Sequence, residues 1–149
     1  GNHGCIESYS TIPAIVDKFV SSLKRGRTSM ISKDIEYINY IDILKAAEQG
    51  DSLAKEVIID SALIFGAGIS NYINLVNPQL IILSGPLIKH SDLFYQISVE
   101  TALKKSYLAK ENKIAFVKGG HYKNNVIAVG AAALVIEELL RRQHVEQKS

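Results

Sequence analysis

The 149-residue chain contains no tryptophan, one methionine (Met30), one cysteine (Cys5) and three prolines. A single cysteine excludes an intrachain disulfide framework. No apolar run reaches the roughly 20 uncharged residues of a membrane span, and no secretory signal is legible, so a cytoplasmic protein without membrane contact is expected. Neither sign of charge dominates: 17 basic and 15 acidic residues leave a formal charge of +2. The densest basic cluster is Lys24, Arg25 and Arg27, followed by Arg141 and Arg142. Either could touch phosphate, but both sit where cations favour helix C-termini, which argues against this stretch being a DNA reader. His3, His90, His121 and His144 show no metal-ligand spacing. Internal repeats, low-complexity segments and interior linkers are also missing. The chain does not start with Met, and a fragment of a longer protein is therefore expected.

What is present is enough for a core. An apolar fraction of 47% suits one globular domain spanning 1–149. Thr11-Ile12-Pro13 offers a capping hydroxyl followed by a proline suited to a first helical turn. Ile12, Ile15, Val16, Phe19, Val20 and Leu23 recur at helical spacing up to Lys24-Arg25-Gly26. A loop over Arg27 to Asp34 and a helix from Tyr40 to Gln49, closed by Gly50, follow. Asp51 and Ser52 cap a long helix that runs almost to Asn77-Pro78 and is apolar on more than one side, which places it at the centre of the domain. Leu80-Ile81-Ile82-Leu83, bounded by Pro78 and Ser84-Gly85-Pro86, reads as a strand buried on both faces. A helix from Ser91-Asp92 to about Tyr107, a strand from Lys113 to Val117 and a last helix from Val126 to Arg142 complete the pattern, and strands separated by helices predict a right-handed parallel crossover.

Four short stretches carry possible chemistry. Gly1-Asn2-His3-Gly4-Cys5-Ile6-Glu7 puts a turn, a thiol and a carboxylate side by side. Cys5 is either a zinc ligand or a small apolar residue, and Glu7 is either a ligand for hydroxyl groups or an acid in a first helical turn. Gly66-Ala67-Gly68 lies within a helix, where each glycine costs about 1 kcal/mol relative to alanine; close packing or ligand contact would explain it. Ser84-Gly85-Pro86 follows a strand and precedes a helix, the place where open α/β sheets bind ligands, although a tight turn explains it too. Gly130-Ala131-Ala132-Ala133 lets a ligand or another backbone approach the last helix.

The order of these stretches resembles the ROK family, named for repressors, open reading frames and sugar kinases. Gly-x-x-Gly-Cys-x-Glu, then Asn71 to Pro78, Leu80 to Pro86 and Ala128 to Ala132 are similar to its pattern across essentially the whole chain. The resemblance implies the C-terminal lobe of an actin-like, ribonuclease-H-like α/β fold, here a helix-rich piece with a small parallel sheet. It also implies that Cys5 is the last of four ligands of a structural zinc and that Glu7 binds sugar hydroxyls. The other three ligands are expected before Gly1, so zinc belongs to the intact parent and is expected to be absent from this fragment. Gly85 and Gly130 take the places of nucleotide-type glycines, but many relatives have Gly-Gly where this chain has Ser84-Gly85.

The family divides into sugar-responsive repressors and ATP-dependent sugar kinases. A repressor reads DNA through a domain that would precede Gly1, and a kinase takes its general base and phosphate loop from an N-terminal lobe that would also precede it. Neither catalysis nor DNA binding is therefore expected of this chain alone. Ser21 to Ser29 and Ser84-Gly85 favour the sugar-binding part of a repressor. The alternatives are the C-terminal lobe of a glucokinase- or fructokinase-type enzyme using ATP and Mg, and a module that serves only to form a homodimer.

Overall fold

A computed structural model describes residues 5–111, 113–119 and 130–136. Its elements are α1 (Glu7–Ser10), α2 (Ile12–Lys24), a 3-10 turn at Ile35–Tyr37, α3 (Tyr40–Glu48), α4 (Ser52–Val76), β1 (Leu80–Leu83), α5 (Pro86–His90), α6 (Asp92–Lys105), α7 (Leu108–Glu111) and β2 (Ala115–Lys118). Residues 130–136 are also helical. β1 and β2 pair in parallel, with Leu80 opposite Ala115 and Ile82 opposite Val117. The expected helix-rich α/β architecture with a small parallel sheet is observed.

The predicted helix starts have visible causes. Thr11 Oγ1 accepts from the Ala14 amide and Pro13 lies in the first turn of α2, while Arg25 and the positive-φ Gly26 (+87°) end it. Asn39 and Asp42 form a reciprocal capping box on α3. Asp51 caps α4 by accepting from the Ala54 amide at 2.8 Å. Left-handed Asn77 (φ 49°) terminates α4 one residue before Pro78, as the Asn-Pro boundary predicts.

α4 is the spine: it packs on α1, α2, α3, α6 and α7. Its first half buries Leu53, Ala54, Val57, Ile58 and Ala62 among Ile15 and Phe19 of α2 and Ile43 of α3. The central position is as expected, but the last turns differ from a wholly buried helix, since Tyr72, Leu75 and Val76 are exposed.

Two further expectations are corrected. β1 is covered on one face only: Ile81 and Leu83 are buried, whereas Leu80 and Ile82 are about half exposed. Branched residues on both faces of a short strand could not reveal which face lay against the described helices. The helix from Asp92 stops at Lys105 instead of continuing to Tyr107. Asn74 Oδ1 on α4 accepts from Ser106 Oγ (2.8 Å), the Tyr107 amide (3.1 Å) and the Leu108 amide (3.4 Å). These bonds hold Ser106 extended and start α7. The second strand is shifted to Ala115–Lys118. Of the expected last helix, Val126 to Val129 and residues 137–142 lie outside the described residues.

Candidate functional site

The first candidate surface is the Cys5-Ile6-Glu7 segment. Ser10 Oγ donates to the Ile6 carbonyl (2.9 Å) and Thr11 Oγ1 to the Glu7 carbonyl (2.8 Å). These two hydroxyls fasten α1 and its corner with α2. The segment is also seated on α4, because a Cβ on Gly68 would lie 1.8 Å from Ile6 Cδ1. The neighbouring Gly66 serves a different contact: a Cβ there would meet the Ser98 carbonyl oxygen at 2.5 Å and Thr101 Cβ at 2.7 Å. Close packing thus accounts for both glycines of Gly66-Ala67-Gly68, and Gly68 in addition places the residue next to Glu7.

Glu7 opens α1, where a helix N-terminus favours a carboxylate. Its side chain is exposed, and among the described residues no group hydrogen-bonds the carboxylate. It is available to accept from an external donor. Cys5, one residue before the helix N-cap, is exposed as well. No group of three or more His, Cys, Asp or Glu side chains that could hold a metal is found among the described residues. The described residues therefore do not fit a zinc ion by themselves, since a structural site needs four donors.

The second candidate surface is the carboxyl end of the sheet. Gly85 (φ +124°) turns the chain from β1 into Pro86, and Gly119 (φ +75°) follows β2. The Gly119 amide donates to the Leu83 carbonyl at 2.7 Å, tying the two turns together. No heavy atom lies within 4 Å of where a Cβ would stand on Gly85, Gly119 or Gly130. The positive φ explains Gly85 as a turn residue, and the space beside it is open. Lys118 at the end of β2 pairs with the Asp92 carboxylate in the first turn of α6 and lies 5.6 Å from the centre of the Tyr95 ring. Sequence reading missed Lys118, Asp92 and Tyr95. The available signal was a lysine directly before Gly119-Gly120 at a strand end.

Glu7 and Gly85 belong to different parts of the fold. Glu7 lies on α1 against α2 and α4, whereas Gly85 leads into α5, which packs on α6. A shallow hollow of about 420 Å³ lined by Asn77, Pro78, Gln79 and Lys113 sits at the amino end of the strands, opposite the end that binds ligands in open parallel sheets. His90 lies in the last turn of α5; His3, His121 and His144 lie outside the described residues. Among the described residues, no helix is long and apolar enough to cross a membrane.

Comparison with known proteins gives a consistent result. The sequence model described as the ROK family matches residues 1–138. The chain is 34% identical over 141 residues to the DNA-binding transcriptional dual regulator NagC of Escherichia coli, covering 94% of this chain and 34% of that protein. It thus spans about a third of the length of that relative. The crystal structure of a ROK family transcriptional regulator, a homolog of the E. coli MLC protein, superposes with a TM-score of 0.68 at 29% identity over 80% of this chain and 31% of that one. A ROK family glucokinase from Streptomyces griseus, solved with glucose and AMPPNP, superposes with a TM-score of 0.72 at 22% identity over 90% of this chain and 45% of that one. That last likeness bears on the fold, which is actin-like.

Proposed function

The chain belongs to the ROK family, and from that premise we propose that it is the sugar-binding and oligomerising portion of a sugar-responsive transcriptional repressor. The observation that carries this reading is the 34% identity to a DNA-binding transcriptional regulator across 94% of the chain. In this reading Glu7 orients the sugar. A carboxylate has two oxygens and can accept from two neighbouring hydroxyls at once. Ser10, Thr11 and the seat on Gly68 hold its backbone in place.

DNA is contacted through a domain outside this chain. The charge distribution supports that division of labour. Lys18 is paired with Asp60, Arg27 with Glu56 and Lys33 with Asp42, so much of the basic character around α2 is balanced internally. Cys5 serves the intact parent as one of four ligands to a structural zinc, with the other three supplied from outside this chain. The protein acts in the cytoplasm as a homodimer.

A second reading, the C-terminal lobe of an ATP-dependent sugar kinase, draws on the open glycine turns at Gly85 and Gly119. ATP and Mg would then meet the carboxyl end of the sheet. The glucokinase likeness contributes only the fold to this reading, and the Lys118 charge is already balanced by Asp92.

Calorimetry on the intact protein with glucose and with N-acetylglucosamine tests the first reading. Replacing Glu7 with Ala is expected to weaken the bound sugar by about tenfold or more, the worth of a hydrogen bond to a charged group, with an unchanged far-UV circular dichroism spectrum. Unaltered affinity would remove Glu7 from the site. Sugar-dependent ATP turnover by the intact protein would end the repressor-only reading.

A further inference from the structure

The two-stranded sheet has a bare apolar face. Leu80 is 50% exposed, Ile82 54% and Val117 44%, and Ile82 and Val117 are register partners, so these side chains form one continuous patch. The other face carries Ile81 and Leu83, both buried. Parallel strands are ordinarily covered on both sides, because the crossovers that make them parallel bring helices to both faces. Elsewhere in the same chain, residues 130–136 form a helix whose Leu134, Val135 and Ile136 are 69%, 60% and 57% exposed. The chain therefore holds an uncovered sheet face and an uncovered apolar helix.

We infer that these are the two halves of one intrachain interface, with the 130–136 helix seated across Leu80, Ile82 and Val117. Reach permits it. Segment 120–129 joins Gly119 to Gly130, and its fully extended length of roughly 33 Å exceeds the roughly 13 Å length of a four-residue strand. Connectivity favours the same copy over a second one, since a short tether gives a millimolar effective concentration. The composition fits as well: Ala131, Ala132 and Ala133 let a helix approach a sheet closely, and Leu134, Val135 and Ile136 supply the apolar contact. No charged residue lies between 130 and 136.

Disulfide mapping tests the seating. Cys5 is the one native cysteine and is exposed, so Cys5→Ser gives a clean background. Ile82→Cys is then combined in turn with Leu134→Cys, Val135→Cys and Ile136→Cys, and oxidation is followed on non-reducing gels. Successive helix positions are rotated by roughly 100°, so one of the three should close an intramolecular bond about tenfold faster than the slowest. Equal rates, no bond, or disulfide-linked dimers would overturn the inference, the last by assigning the face to a second copy. An independent readout is Ile82→Asp in denaturant unfolding. A covered face predicts a fall of about 100-fold or more in the folding equilibrium constant, because the change buries a charge. An unchanged midpoint would show that the face stays bare and overturn the inference.

Discussion

Replacing Gly66 with Ala lowers the stability of the fold by about 3 kcal/mol, at the upper end of the usual cost of overpacking. Helix propensity alone would predict the opposite sign, since alanine gains about 1 kcal/mol over glycine in a helix interior. Packing wins because of what the methyl group meets. At 2.5 Å from the Ser98 carbonyl oxygen and 2.7 Å from Thr101 Cβ, it collides with α6 itself, and a backbone cannot rotate away as a side-chain tip can. The two helices would have to separate along a seam that also includes Ala62, Ala102 and the Phe65–Phe94 ring pair, whose centroids are 5.6 Å apart. For a chain of this size the melting temperature should fall by about 9 °C, at roughly 3 °C for each kcal/mol. Gly68→Ala is the matched control. Its obstacle is the end of the Ile6 side chain, which can move, so its effect should stay within about 1 kcal/mol. Circular-dichroism melts of the two variants check both statements, and equal losses would refute the packing account.

Asp51→Ala should cost a similar amount, about 3 kcal/mol, by adding a lost helix cap to buried donors left unsatisfied. Asp51 is only 3% exposed. One carboxylate oxygen caps α4 through the Ala54 amide, and the other accepts from Ser29 Oγ at 2.7 Å and the Met30 amide at 2.5 Å. One side chain thereby starts the central helix and pins the 27–34 loop against it. Burial pushes its pKa up, but the Ala54 and Met30 amides, the Ser29 hydroxyl and the Leu53 amide together hold it below the usual carboxylate range. A pKa depressed in the folded state contributes stability that is fully present above the unfolded value, near 3.9, and is lost as pH falls through the folded value. Urea unfolding between neutral pH and pH 3 should therefore show an acid-side loss that Asp51→Asn removes. Asn retains an acceptor and should cost less than Ala. A parallel pH dependence in wild type and Asp51→Asn would place the acid sensitivity elsewhere.

Helix boundaries were the most legible part of this fold because they are written in local chemistry. Thr11 with Pro13, Asp51 before Leu53, and Asn77 before Pro78 each act within a few residues, and the structure uses each at the expected place. What could not be read depends on partners distant in sequence. The break between α6 and α7 is made by Asn74, more than thirty residues away, and nothing near Ser106 announces it. The bare face of β1 depends on which helices reach the sheet, not on the composition of Leu80 to Leu83. At the candidate site, Glu7 and Gly85 were legible from motif spacing, and Gly66 and Gly68 were correctly suspected of packing. The Lys118–Asp92 pair was not foreseen, since its members lie on different elements and meet only when β2 aligns beside β1.

The placement of α4 also bears on how the chain comes apart. Because α1, α2, α3, α6 and α7 all lean on this one helix, there is no line along which the described body divides into two parts that each keep a core. Fraying of α4 from either end withdraws the support of several neighbours together, so partial opening is disfavoured relative to complete loss of structure. The β1–β2 ladder and α5 sit apart from this spine and communicate with it mainly through α6. A perturbation at the carboxyl end of the sheet is thus transmitted to the rest of the molecule along a single helix, whereas one at α1 acts on the spine directly.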